Sequence, residues 1–171
     1  MQAISTAVLE RAGWRLRLGR SWRGLCYLSL DAEDREGLER HAARFFDAAE
    51  VVDDATALAA DLEQVGAYLE GTRRAVDLDL DLRGTDFQVA VWRALLHIPY
   101  GGTLTYGEVA RAVGRPGGAR AVGQAVHVNP VAIVVPCHRV VAGGGRIGGY
   151  GGGLETKRRL LALEGAPALR D

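Results

Sequence analysis

Cysteine is scarce in this chain: among 171 residues only Cys26 and Cys137 occur, in very different sequence contexts. A chain of this length can build a hydrophobic core without disulfide bonds, so the scarcity indicates a reducing compartment. Long apolar runs are also lacking, since none approaches the ~18 residues of a membrane span and no apolar leader follows Met1. We therefore expect a soluble cytoplasmic protein without a membrane partner.

The chain has no net charge, but its acidic and basic residues are unevenly distributed along the sequence. Residues 1–83 contain 11 basic and 16 acidic side chains, whereas residues 84–171 contain 10 basic and 5 acidic ones. The net charge therefore changes from −5 to +5 near Gly84. A chain of this length suits one compact domain or two small ones, and the reversal indicates that an acidic half, 1–83, carries a basic working half, 84–171. It permits a nucleic-acid partner.

The first half has the pattern of a small sheet with helices. Trp14–Leu18 alternates strictly between apolar and polar side chains, as a half-buried strand does. The predicted strands cover 3–9, 14–18, 25–30 and 76–82, and the predicted helices cover 31–49 and 55–69. The strand over 76–82 alternates Asp with Leu, so we expect a solvated aspartate face. A metal site at this row is less favoured because no His or Cys is close in sequence.

The second half begins with helices and tight turns. Two capping boxes, Thr85 with Gln88 and Thr105 with Glu108, each predict a helix start. A further helix over about 118–128 would complete a helix-turn-helix. Its long polar side chains are only Arg120 and Gln124, among small residues that include Ala119 and Gly123. A regulator that reads bases needs more such side chains, so close packing into a groove is favoured over sequence-specific reading.

An apolar run from Val131 to Pro136 leads directly into Cys137, His138 and Arg139. Because proline fixes its own φ, the chain enters Cys137 in a restricted geometry. Two potential cations beside a thiol favour the thiolate. The alternative is a buried structural cysteine next to two surface polar residues.

Two features follow this centre. Residues 143–153 include eight glycines, which favours a loop that brings backbone N–H groups close to a flat ligand. A phosphate-binding loop is disfavoured because no Lys-Ser/Thr pair follows. The last predicted helix, 154–164, ends in Glu164, which is either a tolerated surface carboxylate or one that orients a histidine.

These features together resemble the O6-alkylguanine–DNA alkyltransferase family, also called methylated-DNA–protein-cysteine methyltransferases. The resemblance covers about residues 83–165. It is carried by Gly84-Thr85-Asp86-Phe87-Gln88, Val91-Trp92, Ile98-Pro99-Tyr100-Gly101, Thr105-Tyr106, Arg120-Ala121-Val122-Gly123, Asn129-Pro130, Pro136-Cys137-His138-Arg139-Val140, Gly149-Tyr150-Gly151-Gly152-Gly153-Leu154, Lys157 and Leu160-Leu161.

The resemblance implies a mixed α/β (α+β) fold. A small ribonuclease-H-like sheet domain would occupy 1–83, and a winged helix-turn-helix domain with the reactive cysteine would occupy 84–171. It implies a monomeric DNA-repair enzyme that binds the minor groove of double-stranded DNA without sequence preference. The enzyme would flip the damaged nucleotide out and take the alkyl group from O6-alkylguanine, and from O4-alkylthymine, once per molecule.

The resemblance also assigns roles to residues. Cys137 would accept the alkyl group, His138 would act as base through a water, Glu164 would orient His138, and Asn129 would be a hinge. The base would be bound by Tyr106, by the carbonyls of Cys137 and Val140, by Tyr150 and by the N–H of Gly151. DNA contacts would come from Arg120, which fills the gap left by the flipped base, and from Arg139, Gln124, Ala119 and Gly123.

Some features depart from the family, and other functions stay open. Some members have serine at the position of Gly151, and some bind zinc in the N-terminal half, where only Cys26 and His41 are candidates. We therefore expect neither a metal nor a cofactor. The alternatives are a lesion-binding protein without transfer, which the presence of Cys137 disfavours, a helix-turn-helix regulator, and a cysteine hydrolase, which adjacent Cys and His do not support.

Overall fold

The computed structural model describes residues 2–171 and has the predicted mixed α/β composition. Its backbone contacts define two compact units. The first comprises Met1–Arg83 with Pro130–Ala132, and the second comprises Gly84–Asn129 with Ile133–Asp171.

The first unit contains a four-stranded sheet. Its strands are β1 (Ala3–Arg11), β2 (Trp14–Ser21), β3 (Gly24–Ser29) and β4 (Glu50–Asp53), in the spatial order β3-β2-β1-β4. Strands β1, β2 and β3 are antiparallel neighbours, and β4 lies parallel to β1. Ala12 and Gly13 both have positive φ, 52° and 74°, as a two-residue hairpin turn between β1 and β2 requires.

Two helices belong to this unit, α1 (Arg35–Phe45) and α2 (Ala59–Leu69). Asp34 caps α1 by accepting a hydrogen bond from the N–H of Gly37. The buried side of α1, Leu38 and Ala42, packs with Ile4 of β1 in the core. Both helices are shorter than predicted. Helix α1 begins and ends four residues inside the predicted range 31–49, and residues 55–58 form turns before α2.

The predicted strand over 76–82 is wrong. Only Leu80 forms a bridge, to Leu25 of β3, and the rest of this segment is irregular. The predicted aspartate face is only partly solvated, since Asp81 is buried and accepts hydrogen bonds from Ser21 (2.6 Å) and Arg83 (3.0 Å). The fourth strand of the sheet is β4, which lies beside β1 at the edge opposite to β3.

The second unit is mainly helical. It contains α3 (Asp86–Leu95), α4 (Tyr106–Ala112), α5 (Ala119–His127) and α6 (Leu154–Leu163), with the short strands β5 (Leu104–Thr105) and β6 (Val140–Val141). Both predicted capping boxes are present, at the starts of α3 and α4. Trp92 of α3 is buried and donates its indole N–H to the carbonyl of Ala125 in α5 (2.8 Å). Within residues 2–171 no helix has the length and apolar character needed to cross a bilayer.

Candidate active site around Cys137

Cys137 begins a single 3₁₀ turn, Cys137–Arg139, that ends at β6. The residues before it are buried as predicted, with Val135 fully inaccessible, and Ile133 has a positive φ of 70°. The N–H of Cys137 donates to the carbonyl of Val135 (2.8 Å). The thiol is therefore presented on a tight turn, and Cys137 is only 6% exposed.

A short parallel pairing brings Tyr106 to the same place. Thr105 of β5 pairs with Val141 of β6, and Tyr106 is the first residue of α4. The ring of Tyr106 lies against two glycines, since a Cβ built on Gly123 would meet it at 3.8 Å and one on Gly148 at 3.4 Å. Burial, together with the nearby Cys137, raises the pKa of the Tyr106 hydroxyl. At neutral pH it is a neutral hydrogen-bond donor.

The carboxylate of Glu164 follows the last residue of α6 and binds the two residues after the cysteine. His138 Nε2 lies 2.8 Å from Oε1 of Glu164, and both side chains are fully buried. Arg139 donates Nε to Oε2 (2.9 Å) and Nη2 to Oε1 (2.7 Å) of the same carboxylate, and Nη1 to the carbonyl of Ile98 (2.6 Å). Of the two readings of Glu164, the geometry favours a carboxylate that orients a histidine.

This pairing changes the electrostatic picture drawn from sequence. Burial lowers the pKa of His138, against the opposing effect of Glu164, so the ring is neutral near pH 7. Burial also raises the pKa of the Cys137 thiol. The expected pair of cations beside the thiol does not agree with these contacts, because the charge of Arg139 is bound by Glu164. The resting cysteine is therefore a thiol.

Two side chains partly offset the burial of the thiol. Asn129, two residues after α5, donates Nδ2 to the carbonyl of Val135 (2.9 Å) and, with Tyr150, lowers the pKa of Cys137. The hydroxyl of Tyr150 lies 3.9 Å from Sγ of Cys137. Asn129 thus connects the end of α5 to the segment that carries the cysteine.

Lys157, one of the residues that carry the family resemblance, is a central contact of the site. Its ammonium group is buried and donates to the carbonyls of Val140 (2.6 Å), Ile147 (2.7 Å) and Gly149 (3.0 Å). Burial lowers its pKa to about 8, and the charge of Cys137 opposes that shift. The sequence signal was available, because Lys157 is the single lysine of the chain. Sequence motifs for a nucleophile and a base do not include Lys157, because its ammonium group binds only backbone carbonyls.

The carbonyls predicted to bind the base are already hydrogen-bonded once. Val140 O accepts from Lys157, and Cys137 O accepts from the N–H of Val140. A carbonyl oxygen has two lone pairs, so each retains capacity for a second donor. Gly151 has an ordinary backbone conformation, and a Cβ there would meet only His127, at 3.8 Å. A serine would therefore fit at this position.

The predicted DNA contacts separate into two groups. Arg120 and Gln124 are exposed and lie one turn apart on α5, and Ala119 and Gly123 are partly exposed on the same helix. Arg139, in contrast, is 8% exposed with its guanidinium on Glu164 and Ile98. The prediction that Arg139 contacts DNA does not agree with this position.

Comparison with known proteins places this chain in a family. Residues 86–166 match the family described as "6-O-methylguanine DNA methyltransferase, DNA binding domain". The inducible methylated-DNA–protein-cysteine methyltransferase of Bacillus subtilis is 38% identical over 151 residues, which are 88% of this chain and 84% of that protein. The chain belongs to the methylated-DNA–protein-cysteine methyltransferase family.

Further methylated-DNA–protein-cysteine methyltransferases agree with this membership. The one from Mycolicibacterium paratuberculosis is 58% identical over 108 residues, 63% of this chain and 66% of that protein, so this alignment spans just under two thirds of the relative. The crystal structure of Mycobacterium tuberculosis OGT in complex with DNA superposes with a TM-score of 0.78 at 42% identity, covering 97% of this chain and 96% of that chain. The predicted family, enzyme class and fold class are confirmed.

Proposed function

We propose that Cys137 takes the alkyl group from O6 of an alkylguanine in duplex DNA and keeps it. The observation that carries this proposal is the contact chain in which Glu164 binds His138 next to a cysteine on a tight turn. A thiolate is the side-chain nucleophile best suited to displacement at carbon. The same chemistry extends to O4-alkylthymine, whose alkyl carbon is also bound to an exocyclic oxygen.

The tautomer of His138 supports its role as base. A carboxylate only accepts hydrogen bonds, so Nε2 of His138 carries the hydrogen that faces Glu164. Nδ1 is then the acceptor nitrogen of the neutral ring, and it takes the thiol proton through a water. Glu164, held by Arg139 and by the N–H of Gly101 (3.2 Å), fixes the ring in this orientation.

In the transfer step the bonds, electrons and proton are all accounted for by Cys137 and the guanine, without a cofactor. The sulfur of Cys137 forms a bond to the alkyl carbon while the bond from that carbon to O6 breaks, and its electron pair goes to the guanine. The proton lost by the thiol is matched by the proton that the guanine gains at N1. Tyr106 donates its hydroxyl to the base and offsets the charge that develops.

The target atom lies inside a duplex, so the nucleotide has to be flipped out of the stack. The small side chains of α5 suit a minor groove, and Arg120 would enter the stack in place of the base. Few base-reading side chains point outward, so binding would depend on phosphate contacts rather than sequence. We propose that residues 84–171 carry this chemistry and that the protein acts as a cytoplasmic monomer.

The test is to incubate the protein with a duplex that contains O6-methylguanine and to weigh it. A mass increase that corresponds to one methyl replacing one hydrogen, mapped to Cys137, is the expected result. The same duplex without the methyl group is the control. A lesion-binding protein or a helix-turn-helix regulator would retain the unmodified mass, and that outcome would overturn the proposal.

Sustained turnover would also contradict it. The site contains one nucleophile, and no second group is positioned to hydrolyse a thioether, so transfer to excess duplex should stop near one group per molecule. Continued removal of alkyl groups well beyond that value, without a plateau, would indicate turnover as in a hydrolase.

A further inference from the structure

The segment after α6, residues 166–171, pairs with the glycine loop, which we define as residues 143–153. Arg170 forms a parallel bridge with Arg146. Its N–H donates to the carbonyl of Gly145 (2.9 Å), and its carbonyl accepts from the N–H of Ile147 (2.8 Å). Its guanidinium donates Nη2 to the carbonyl of Gly144 (2.6 Å). One residue therefore makes three hydrogen bonds to one side of the loop.

The segment itself is attached to α6. Arg158 of α6 donates Nη1 to the carbonyl of Leu169 (3.3 Å) and forms an ion pair with Asp171. Arg170 lies between these two residues, so its position is fixed by a helix rather than by the loop alone.

The other side of the loop is held by Lys157. The buried ammonium binds the carbonyls of Ile147 and Gly149, while Arg170 binds the N–H of Ile147. Ile147 is thus fixed at both its backbone groups, and its side chain is 2% exposed. Ile147 is therefore the residue of the loop that both Lys157, the inner anchor, and Arg170, the outer anchor, bind.

Immediately after Ile147 the loop reaches the reacting groups. Gly148, with φ of 72°, lies against the ring of Tyr106 and the backbone of Ala142, as the 3.4 Å and 3.1 Å approaches of a built Cβ show. Tyr150 places its hydroxyl 3.9 Å from the thiol of Cys137. A displacement of Ile147 would therefore change the distance between the loop and Tyr106.

We propose that Arg170 is a positioning residue that sets the size of the alkyl group the site accepts. It acts through Ile147 and Gly148, which define one wall beside Tyr106. The outer anchor keeps this wall close enough to hold a methyl group against the thiol and too close for a bulky one to enter easily. This inference rests on the proposed function and assigns its size limit to a residue remote from the chemistry.

Three variants separate the contacts. Arg170→Ala removes the guanidinium, Arg170→Lys keeps a cation that can reach Gly144, and Arg170→Pro removes both the guanidinium and the N–H that binds Gly145. Ala168→Ser, at an exposed position of the same segment, is the control. None of these residues touches the reacting groups, so the fold and the transfer step should both persist.

Two measurements are made on each protein. Hydrogen exchange at the amide of Ile147 should become about two- to ten-fold faster for each hydrogen bond lost. The ratio of benzyl to methyl transfer rates, measured with O6-benzylguanine and O6-methylguanine duplexes, should rise about two- to five-fold in Arg170→Ala and further in Arg170→Pro. Arg170→Lys should restore most of the original ratio, and Ala168→Ser should leave both quantities unchanged.

The outcomes are distinct. Faster exchange at Ile147 with an unchanged ratio would overturn the role in size selection. Unchanged exchange in Arg170→Pro would overturn the anchoring itself. If the unsubstituted protein fails to transfer a methyl group, the proposed function fails, while the exchange measurement still decides whether Arg170 anchors the loop.

Discussion

The two cysteines of this chain are both buried, yet their surroundings differ. Cys26, in β3, is fully inaccessible, donates to the carbonyl of Gly19 (3.3 Å) and is packed among apolar side chains of the first unit. Burial raises the pKa of its thiol to about 12. Burial also raises the pKa of Cys137, but Asn129, Tyr150 and Lys157 all act in the opposite direction there.

The difference shows that burial alone does not identify a reactive thiol. At Cys26 burial and the charge of Asp81 raise the pKa of the thiol, and they outweigh the lowering effects of the Ser21 backbone and Arg83. The residues around Cys137 include a base (His138), an amide (Asn129) and a phenol (Tyr150), all within the second unit. Reactivity depends on whether the polar neighbours of a buried thiol can receive its proton and stabilise its charge.

The largest effect is expected from exchanging sulfur for oxygen at each site. Cys137→Ser should abolish alkyl transfer while lesion binding persists, because a hydroxyl is far less readily ionised than a thiol. Cys26→Ser should transfer normally but lose about 1–2 kcal/mol of stability, because a hydroxyl is harder to bury. Mass spectrometry after incubation with methylated duplex, and urea unfolding, provide the two measurements. Methylation of the Cys137→Ser protein at another residue would contradict the assignment of Cys137 as the reactive thiol.

The second prediction compares two buried carboxylates that bind arginine, Glu164 in the second unit and Asp81 in the first. Glu164→Gln should slow transfer on the order of 10²-fold, because His138 loses the group that orients it and supports its charge. Asp81→Asn should destabilise the protein without changing the transfer rate. Single-turnover rates and unfolding curves on both variants check this expectation.

The pH dependence of Glu164→Gln has a defined sign. The pKa of His138 is already lowered by burial, and Glu164 raises it, so removing the carboxylate lowers it further. The ring must be neutral to take the thiol proton, so the rise of transfer rate with pH should move to lower pH, while the maximal rate falls because the base is weaker. An unshifted profile would indicate that Glu164 only supports the fold.

The third prediction separates flipping from chemistry. Arg120→Ala should slow repair of duplex DNA about 10- to 100-fold, since the gap left by the flipped base is no longer filled. Its dealkylation of free O6-benzylguanine should stay unchanged. Arg111→Ala, which removes an exposed cation from α4, is the matched control and should only reduce affinity in a salt-dependent way. Equal losses in the duplex and free-base assays would refute the flipping role.

The smallest effect concerns the product. A methyl group on Cys137 adds volume to a site that is 6% exposed, and overpacking of this kind costs ~1–3 kcal/mol. The methylated protein should melt about 2–10 °C lower and bind DNA less tightly. Calorimetry before and after reaction with methylated duplex measures the shift, with unmodified duplex as the control. Unchanged melting would mean that the site has room for the alkyl group.

Features set by a few neighbouring residues were predicted well from sequence. The capping boxes at Thr85 and Thr105 are present, and α6 ends at Leu163, one residue earlier than predicted. These signals succeed because the side chain and the backbone group it binds are three residues apart. The helix starts were therefore predicted within a few residues.

Features that depend on distant pairing were not predicted. The four residues of β4 fall between two predicted helices, 31–49 and 55–69, and become a strand only beside β1. Asp81 was predicted to be solvated, but it accepts hydrogen bonds from Ser21, 60 residues away in sequence, and from Arg83. Arg139 looked like a DNA contact because the sequence did not reveal that Glu164, 25 residues away, occupies its guanidinium.

The path of the chain around Asn129 has a consequence for cutting the protein in two. Pro130–Ala132 belong to the first unit, where the carbonyl of Pro130 accepts from Leu28 and the N–H of Ala132 donates to Leu28 (2.8 and 3.2 Å). Three residues from within the stretch 84–171 therefore pair with β3 and belong to the first unit. A gene fragment that starts at Gly84 would carry these residues away from their partner strand and leave Val131 uncovered. The two halves are interleaved, and no single cut separates them cleanly.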